Sequence, residues 1–125
     1  MSSDDLKDRE KSLLGKVSLR IHPKDDMYVP VEGGTTHYLS VGLSAIRCIE
    51  SIIEKTGKEE FIPSILDFPC GYGRVSRFLK VKFLNAQITA AEIDPEMVNF
   101  CKREFSAQAF ISNENINKLN FTKKI

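Results

Sequence analysis

Short apolar runs alternate with segments of helical periodicity along residues 64–112, and few folds accommodate such an alternation. The runs at 64–68, 87–92 and 108–112 have the length and apolar character of buried strands. Short buried strands that are joined by helices through brief loops form parallel sheets with right-handed crossovers. The sequence therefore predicts an α/β fold with a parallel sheet of three strands.

Sequence signals also mark both crossover helices. The first is indicated by apolar residues at helical spacing after Gly73. The second is expected to begin at Asp94-Pro95-Glu96. Asp is a favourable N-cap, Pro fits the first helical position, and a Glu in the first turn complements the positive end of the helix dipole.

A longer amphipathic helix is expected before the first strand, over about residues 38–56. Thr35 or Thr36 is its expected N-cap, and Gly57 stands where a left-handed C-cap is favourable.

The chain is expected to divide at this helix. Residues 1–34 are polar and are interrupted by Pro and Gly, so they are interpreted as an irregular lead segment with one short helix near 5–14. Residues 35–125 form the predicted α/β half-domain.

Composition and charge exclude several classes of function. The chain has 18 Lys+Arg and 17 Asp+Glu, a net charge of +1, which gives no broad attraction to nucleic acid. It has no apolar run of membrane-spanning length and no secretory leader, so a cytoplasmic location is expected. Cys48, Cys70 and Cys101 are far apart and lack CxxC spacing, which predicts reduced thiols and no metal site.

The strongest functional signal is the loop of residues 67–74, D-F-P-C-G-Y-G-R, between a predicted strand and a predicted helix. Glycine lets such a loop turn sharply and approach a ligand, which the free N–H groups of the helix also face. Glu92 stands 19 residues beyond Gly73, at the end of the next strand, where a carboxylate accepts hydrogen bonds from ribose hydroxyls. The pair indicates a nucleoside-type cofactor at the carboxyl ends of the strands.

These residues resemble the class I S-adenosylmethionine-dependent methyltransferases. The first motif of that family has apolar residues, an Asp, an apolar residue and G-C-G-x-G, and residues 65–73 read I-L-D-F-P-C-G-Y-G. Its second motif places an acid at the end of the second strand, here Glu92 in E-I-D-P-E-M. An acid or amide after the third strand is matched by Asn115, with L-N-F following at 119–121. The resemblance spans about residues 36–121.

The resemblance implies a partial Rossmann-like fold with strand order 3-2-1 and S-adenosylmethionine as the cofactor. Asp67 would hold the methionine amino group, Glu92 the ribose, Ile93 the adenine face and Asn115 the adenine edge. The two glycines of the turn would let the backbone lie beside the cofactor. The cofactor-binding residues implied in this way are Asp67, Phe68, Pro69, Cys70, Gly71, Gly73, Glu92, Ile93 and Asn115.

The chain departs from the family pattern at two points. Pro69 replaces the first glycine of the motif, which fixes φ and removes one N–H. The sequence also ends before the fourth strand, so strands 4–7 and the acceptor residues that they carry are missing. A truncated or split form is therefore expected, whose open first strand recruits a partner chain or a second copy. The methyl acceptor and the catalytic residues stay unknown.

Two other functions compete with methyl transfer. A nicotinamide-dependent oxidoreductase would need Gly or Ala in place of Ser76 and would not require Asp67, so it fits less well. A non-catalytic module that binds the cofactor or a partner without turnover is the other alternative.

Several residues also have plain structural interpretations. Asp67 is an alternative cap for local N–H groups, and Glu92 an alternative surface acid. Cys70 is expected to be a buried side chain rather than a nucleophile. The basic series Arg74, Arg77, Lys80 and Lys82 is interpreted as a solvated helix face. His22 and His37 are interpreted as loop residues, with a cover over the cofactor as an alternative for His37 and Tyr38.

Overall fold

The computed structural model describes residues 8–57 and 62–113 and has an α/β architecture. No helix in these two ranges is long and apolar enough to cross a membrane. The elements are α1 (Asp8–Lys16), α2 (Gly34–Thr56), β1 (Ser64–Asp67), α3 (Ser76–Lys82), β2 (Gln87–Glu92), α4 (Pro95–Phe105) and β3 (Gln108–Ile111).

The three strands form one parallel sheet in the order β1-β2-β3, which confirms the predicted fold class and strand order. Asp67 pairs with Ala90, and Glu92 pairs with Ile111, so the strands end at one common edge. The central strand is almost fully buried, with Ala90 at 0% exposure. The sheet thus places the loops after β1 and β2 next to each other, where a ligand of such a fold binds.

Helix α2 begins earlier than predicted, and its expected threonine cap is wrong. The N-cap is Gly33, with φ 77° and no side-chain hydrogen bond. A backbone turn precedes the helix, in which the Gly34 N–H donates to the Val31 carbonyl at 2.9 Å. The chain therefore enters the helix from a turn that satisfies its own N–H group, and no hydroxyl is needed. The predicted C-cap at Gly57 is confirmed, with φ 69°.

The start of α4 follows the sequence signals closely. The Asp94 side chain accepts a hydrogen bond from the Glu96 N–H at 2.8 Å, and Pro95 is the first helical residue. This cap fixes the chain directly after Glu92, so that α4 begins at the ligand-facing edge of the sheet.

The segment before α2 contributes to the hydrophobic core. Leu13 and Val17 are 8% and 6% exposed and pack in one cluster with side chains of α2, α3 and β2. The division of the chain at residue 34 stays a prediction, but this packing means that the lead segment is not only a polar extension. A second cluster joins the loop after β1 to α4 and β3, and it includes Tyr72, Val98, Phe100, Phe105 and Ala109.

Candidate functional site

The loop after β1 and the end of β2 are held together by backbone and side-chain hydrogen bonds. The Cys70 N–H donates to the Ala91 carbonyl at 2.9 Å, and the Gly71 N–H donates to Glu92 Oε1 at 3.3 Å. The glycine turn, residues 68–75, and the Glu92 carboxylate thus lie together, as a shared ligand site requires.

Glu92 is fixed by three backbone N–H groups. Its Oε2 accepts from Ile93 at 2.6 Å and from Asp94 at 3.3 Å, while Oε1 accepts from Gly71. The carboxylate therefore stands at the edge of the sheet in a defined orientation, unlike a freely rotating surface acid. About four acceptor positions are available on a carboxylate, so the three observed donors leave capacity for another group.

The two glycines of the turn have different surroundings, although both have positive φ. Gly71 has φ 56°, and a methyl group added there would meet no atom within 4 Å. Gly73 has φ 79°, and an added methyl would lie 2.2 Å from Phe105 Cε2. Open space for a ligand is thus found at Gly71, whereas Gly73 is needed for the close packing of the turn on α4.

Asp67, the last residue of β1, accepts a hydrogen bond from the Ser76 hydroxyl in the first turn of α3. Burial raises the pKa of the Asp67 carboxyl, and the Ser76 hydrogen bond partly opposes this shift. The observed partner is a hydroxyl rather than a backbone N–H. Ser76 is fully buried, and its role in orienting Asp67 was not predicted from the sequence.

Apolar surface borders the turn on both sides. Phe68 is 47% exposed and Ile93 is 51% exposed, at the ends of β1 and β2. Pro69 is exposed and follows a cis peptide bond after Phe68. Such surface suits a flat aromatic group such as adenine.

Cys70 lies inside the turn beside a second cysteine. Its Sγ is 3.7 Å from Cys101 Sγ, and the two thiols lie 3.4 and 3.5 Å from the Gly71 carbonyl oxygen. The hydrogen bond to Cys101 and burial raise the pKa of the Cys70 thiol. A nucleophile needs the thiolate form, so this geometry agrees with the interpretation of Cys70 as a buried side chain.

Other candidate residues lie away from the glycine turn or outside the described residues. Asn115 and the L-N-F sequence at 119–121 lie outside the described residues. Tyr38 is 0% exposed, and its hydroxyl donates to Asp25 Oδ2 at 2.6 Å, so it does not cover the turn as the alternative suggested. His37 is exposed within α2 rather than in a loop.

The interpretation of Arg77 as part of a solvated helix face is wrong. Arg77 is 1% exposed, and its guanidinium lies 5.1 Å from the Tyr38 ring centroid and 5.0 Å from that of Phe105. Burial lowers its pKa, against the effect of Tyr38 and Asp25. The reason is that the first turn of α3 is enclosed by other elements and has no solvated side. No local sequence signal distinguishes this arginine from the basic residues around it.

In the described ranges, no three His, Cys, Asp or Glu side chains come together as metal ligands. A parallel sheet with a glycine turn and an acid at the adjacent strand end is the arrangement of Rossmann-like folds. A family model described as a methyltransferase domain matches residues 65–124, just under half of the chain. This match supports the resemblance of the chain to the class I S-adenosylmethionine-dependent methyltransferase family. Comparisons with curated proteins and with solved structures give no significant match.

Proposed function

We propose that this chain binds S-adenosylmethionine at the cofactor rim, defined as residues 67–71 and 92–94, and serves methyl transfer to an acceptor nucleophile. The observation that carries the proposal is the hydrogen bond between the Gly71 N–H and the Glu92 carboxylate, beside open space at Gly71. The family match covers both parts of this rim.

Glu92 is the proposed ribose ligand. Its three N–H donors leave about one of four acceptor positions for a first hydroxyl. A second hydroxyl replaces one of the two 3.3 Å contacts, which come from Gly71 and Asp94. The side chain thus fits a vicinal diol without leaving its place at the strand end.

Asp67 is the proposed partner of the ligand's ammonium group. Its raised pKa reflects a carboxylate that burial penalises and that, among its described contacts, accepts a hydrogen bond from a neutral hydroxyl. An ammonium ion restores the missing charge compensation. Phe68 and Ile93 then offer exposed apolar surface to the adenine ring.

The sulfonium of the cofactor, when bound, supplies an already activated methyl group. What the chain contributes is orientation, because alignment of two reactants removes a large part of the entropic barrier. His22 stacks on Tyr72 of the turn, yet its Nδ1 accepts from the Lys24 N–H at 3.0 Å and its Nε2 lies 3.3 Å from Glu96. Both nitrogens are engaged, so His22 is not assigned as a general base.

Titration calorimetry with S-adenosylmethionine, S-adenosylhomocysteine and NAD tests the proposal. We expect both adenosyl compounds to bind, and the Glu92→Ala variant to bind them more weakly by about 1–3 kcal/mol. Glu54→Ala, an exposed acid near the far end of α2, is the matched control and should bind normally.

The alternatives predict other results. Binding of NAD alone would favour an oxidoreductase and contradict the proposal. Unchanged affinity in Glu92→Ala would remove this residue from the site. Binding of S-adenosylhomocysteine without methyl transfer to any candidate acceptor would support the non-catalytic module.

We also propose that β1 recruits another strand, supplied in the simplest case by a second copy of this chain. β1 lies at the edge of the described sheet, and Leu66 on this strand is 39% exposed. Unpaired edge strands with apolar side chains add strands from neighbouring chains.

A further inference from the structure

The segment between α1 and the turn before α2 is joined to the glycine turn through Arg77. This segment, residues 17–28, is called the strap. Arg77 Nη1 donates to the Ser18 and Arg20 carbonyls of the strap at 3.1 and 3.0 Å. Its Nη2 donates to the Tyr72 carbonyl at 3.2 Å, and its Nε to the Gly73 carbonyl at 3.0 Å. One side chain therefore holds two carbonyls of the strap and two of the turn.

A ring contact also joins the strap to the glycine turn. The imidazole of His22 stacks on the Tyr72 ring, with centroids 4.3 Å apart and planes at 14°. His22 Nε2 also lies 3.3 Å from Glu96 Oε1, in the first turn of α4. The strap thus contacts the turn and the helix that follows Glu92.

A buried hydrogen-bond chain completes the attachment. Arg77 Nη2 donates to the Tyr38 hydroxyl at 3.3 Å, and this hydroxyl donates to Asp25 Oδ2 at 2.6 Å. Asp25 belongs to the strap and is 7% exposed. The carboxylate of the strap is therefore linked through a tyrosine to the cation that holds the turn.

These contacts use all five N–H donors of the guanidinium, on four carbonyls and one hydroxyl. A buried cation that loses such partners is strongly destabilised. The turn cannot change its backbone conformation without disturbing Arg77, and Arg77 cannot be disturbed without loosening the strap.

We infer that Arg77 is a positioning residue for the cofactor rim: it ties the strap to the Tyr72 and Gly73 carbonyls and so holds the turn in the conformation that presents Gly71. This inference rests on the proposed function in one respect, since the ligand is taken to be an adenosyl compound. Because coupling between two binding equilibria is reciprocal, ligand binding also stabilises the docked strap.

Hydrogen exchange of the full chain, followed by mass spectrometry, tests the coupling. In the ligand-free protein, Arg77→Lys keeps the charge but loses the planar fork, and we expect faster exchange in both residues 17–28 and residues 68–75. Arg74→Lys is the matched control, because Arg74 also lies over the Tyr38 ring, at 5.6 Å, outside the guanidinium contacts described above. It should leave both segments unchanged.

Binding of S-adenosylhomocysteine gives the second readout. We expect it to slow exchange in the strap of the wild-type chain, and we expect Arg77→Lys to bind about tenfold more weakly. Should Arg77→Lys not fold, His22→Ala removes the ring stack on Tyr72 together with the contacts to the Lys24 N–H and Glu96. It leaves Arg77 in place and should weaken binding several-fold without altering the circular dichroism spectrum.

The outcomes distinguish a failure of the proposed function from a failure of the positioning role of Arg77. If the wild-type chain binds no adenosyl compound, the proposed function fails, and the ligand half of this inference fails with it. If the wild type binds and Arg77→Lys binds equally well, the inference fails while the proposed function stands. If Arg77→Lys loosens the strap and leaves the exchange of the turn unchanged, the positioning role is overturned whatever binds.

Discussion

The glycine turn has an outer side, at Gly71 and Glu92, and an inner side, at Gly73 and Arg77. The two sides differ in how much of their space is filled and in how many of their polar groups are hydrogen-bonded. On the outer side, Gly71 faces open space, and Glu92 has acceptor capacity to spare. On the inner side, Gly73 lies against the Phe105 ring, and every donor of Arg77 is bonded. The same short motif therefore leaves open space at one glycine, where a ligand is proposed, and uses the other glycine for the packing of the protein.

This difference decides which property each substitution changes. A group added on the inner side displaces atoms that are already in contact, so it lowers the free energy of unfolding. A group added on the outer side enters space that the proposed ligand would fill, so we expect it to lower affinity while the fold persists. The following predictions test this division.

Gly73→Ala should have the largest effect. The added methyl would lie 2.2 Å from Phe105 Cε2, at a residue whose φ is 79°. Overpacking and a left-handed alanine together should lower the free energy of unfolding by roughly 2–5 kcal/mol, as measured by urea denaturation. Adding Phe105→Leu removes ring atoms from the clash and should restore part of the loss. A single variant as stable as the wild type would mean that the turn has a different conformation.

Gly71→Ala should lower ligand affinity more than it lowers the free energy of unfolding. The added methyl meets no neighbour within 4 Å, so only the positive φ of 56° penalises it, by about 1–2 kcal/mol. Its effect on S-adenosylhomocysteine binding should be larger, a loss of about tenfold or more by calorimetry, because the methyl occupies the space proposed for the ligand. If binding is unchanged in this variant, the ligand does not approach the turn at Gly71.

The outer side was the part that could be predicted from the sequence. Apolar runs and capping residues identified the strands and α4, their alternation gave a parallel sheet, and the resemblance to the methyltransferase family implied the strand order. Once the order is known, Glu92 must lie next to the glycine turn, because parallel strands end at one edge. These steps need only local patterns, the rule that alternating strands and helices form a parallel sheet, and the family's strand order.

The inner side could not be predicted in this way, because its contacts join distant residues. Arg77 binds carbonyls 57 and 59 residues away, and Cys70 meets Cys101 31 residues away. A basic residue on a helix is usually solvated, and only the packing of several elements around α3 reveals that this one is not. The threonine cap of α2 failed for a similar reason, since a backbone turn took its place.

Asp67→Asn should raise stability and lower affinity at the same time. The folded-state pKa of Asp67 is raised by burial, so the protonated form is the one that suits the fold. The stability that this group contributes is fully present below its unfolded pKa, about 3.9, and is lost as the pH rises through the higher folded value. At neutral pH the amide avoids a buried charge, and we expect a gain of roughly 0.5–2 kcal/mol.

The pH dependence provides the control for this variant. Denaturation midpoints of the Asp67→Asn variant and the wild type should converge as the pH falls towards 4 and should separate as it rises to 7. Affinity for S-adenosylmethionine should fall several-fold, since the amide cannot balance an ammonium ion. A variant that is less stable than the wild type at pH 7 would show that the ionised carboxylate has a partner that its described contacts do not include.

The smallest effect on stability is expected at the exposed edge of β1. Leu66 is 39% exposed, so Leu66→Lys should change the free energy of unfolding by no more than about 0.5 kcal/mol. Its effect should appear instead in the concentration dependence of the mass measured by light scattering, because a lysine on an edge strand opposes pairing between chains. Ile52→Lys, at a residue 61% exposed on α2, is the matched control, and it should associate like the wild type. If the wild-type chain stays monomeric at every concentration, the edge does not pair with a second copy, and its apolar side chains require another explanation.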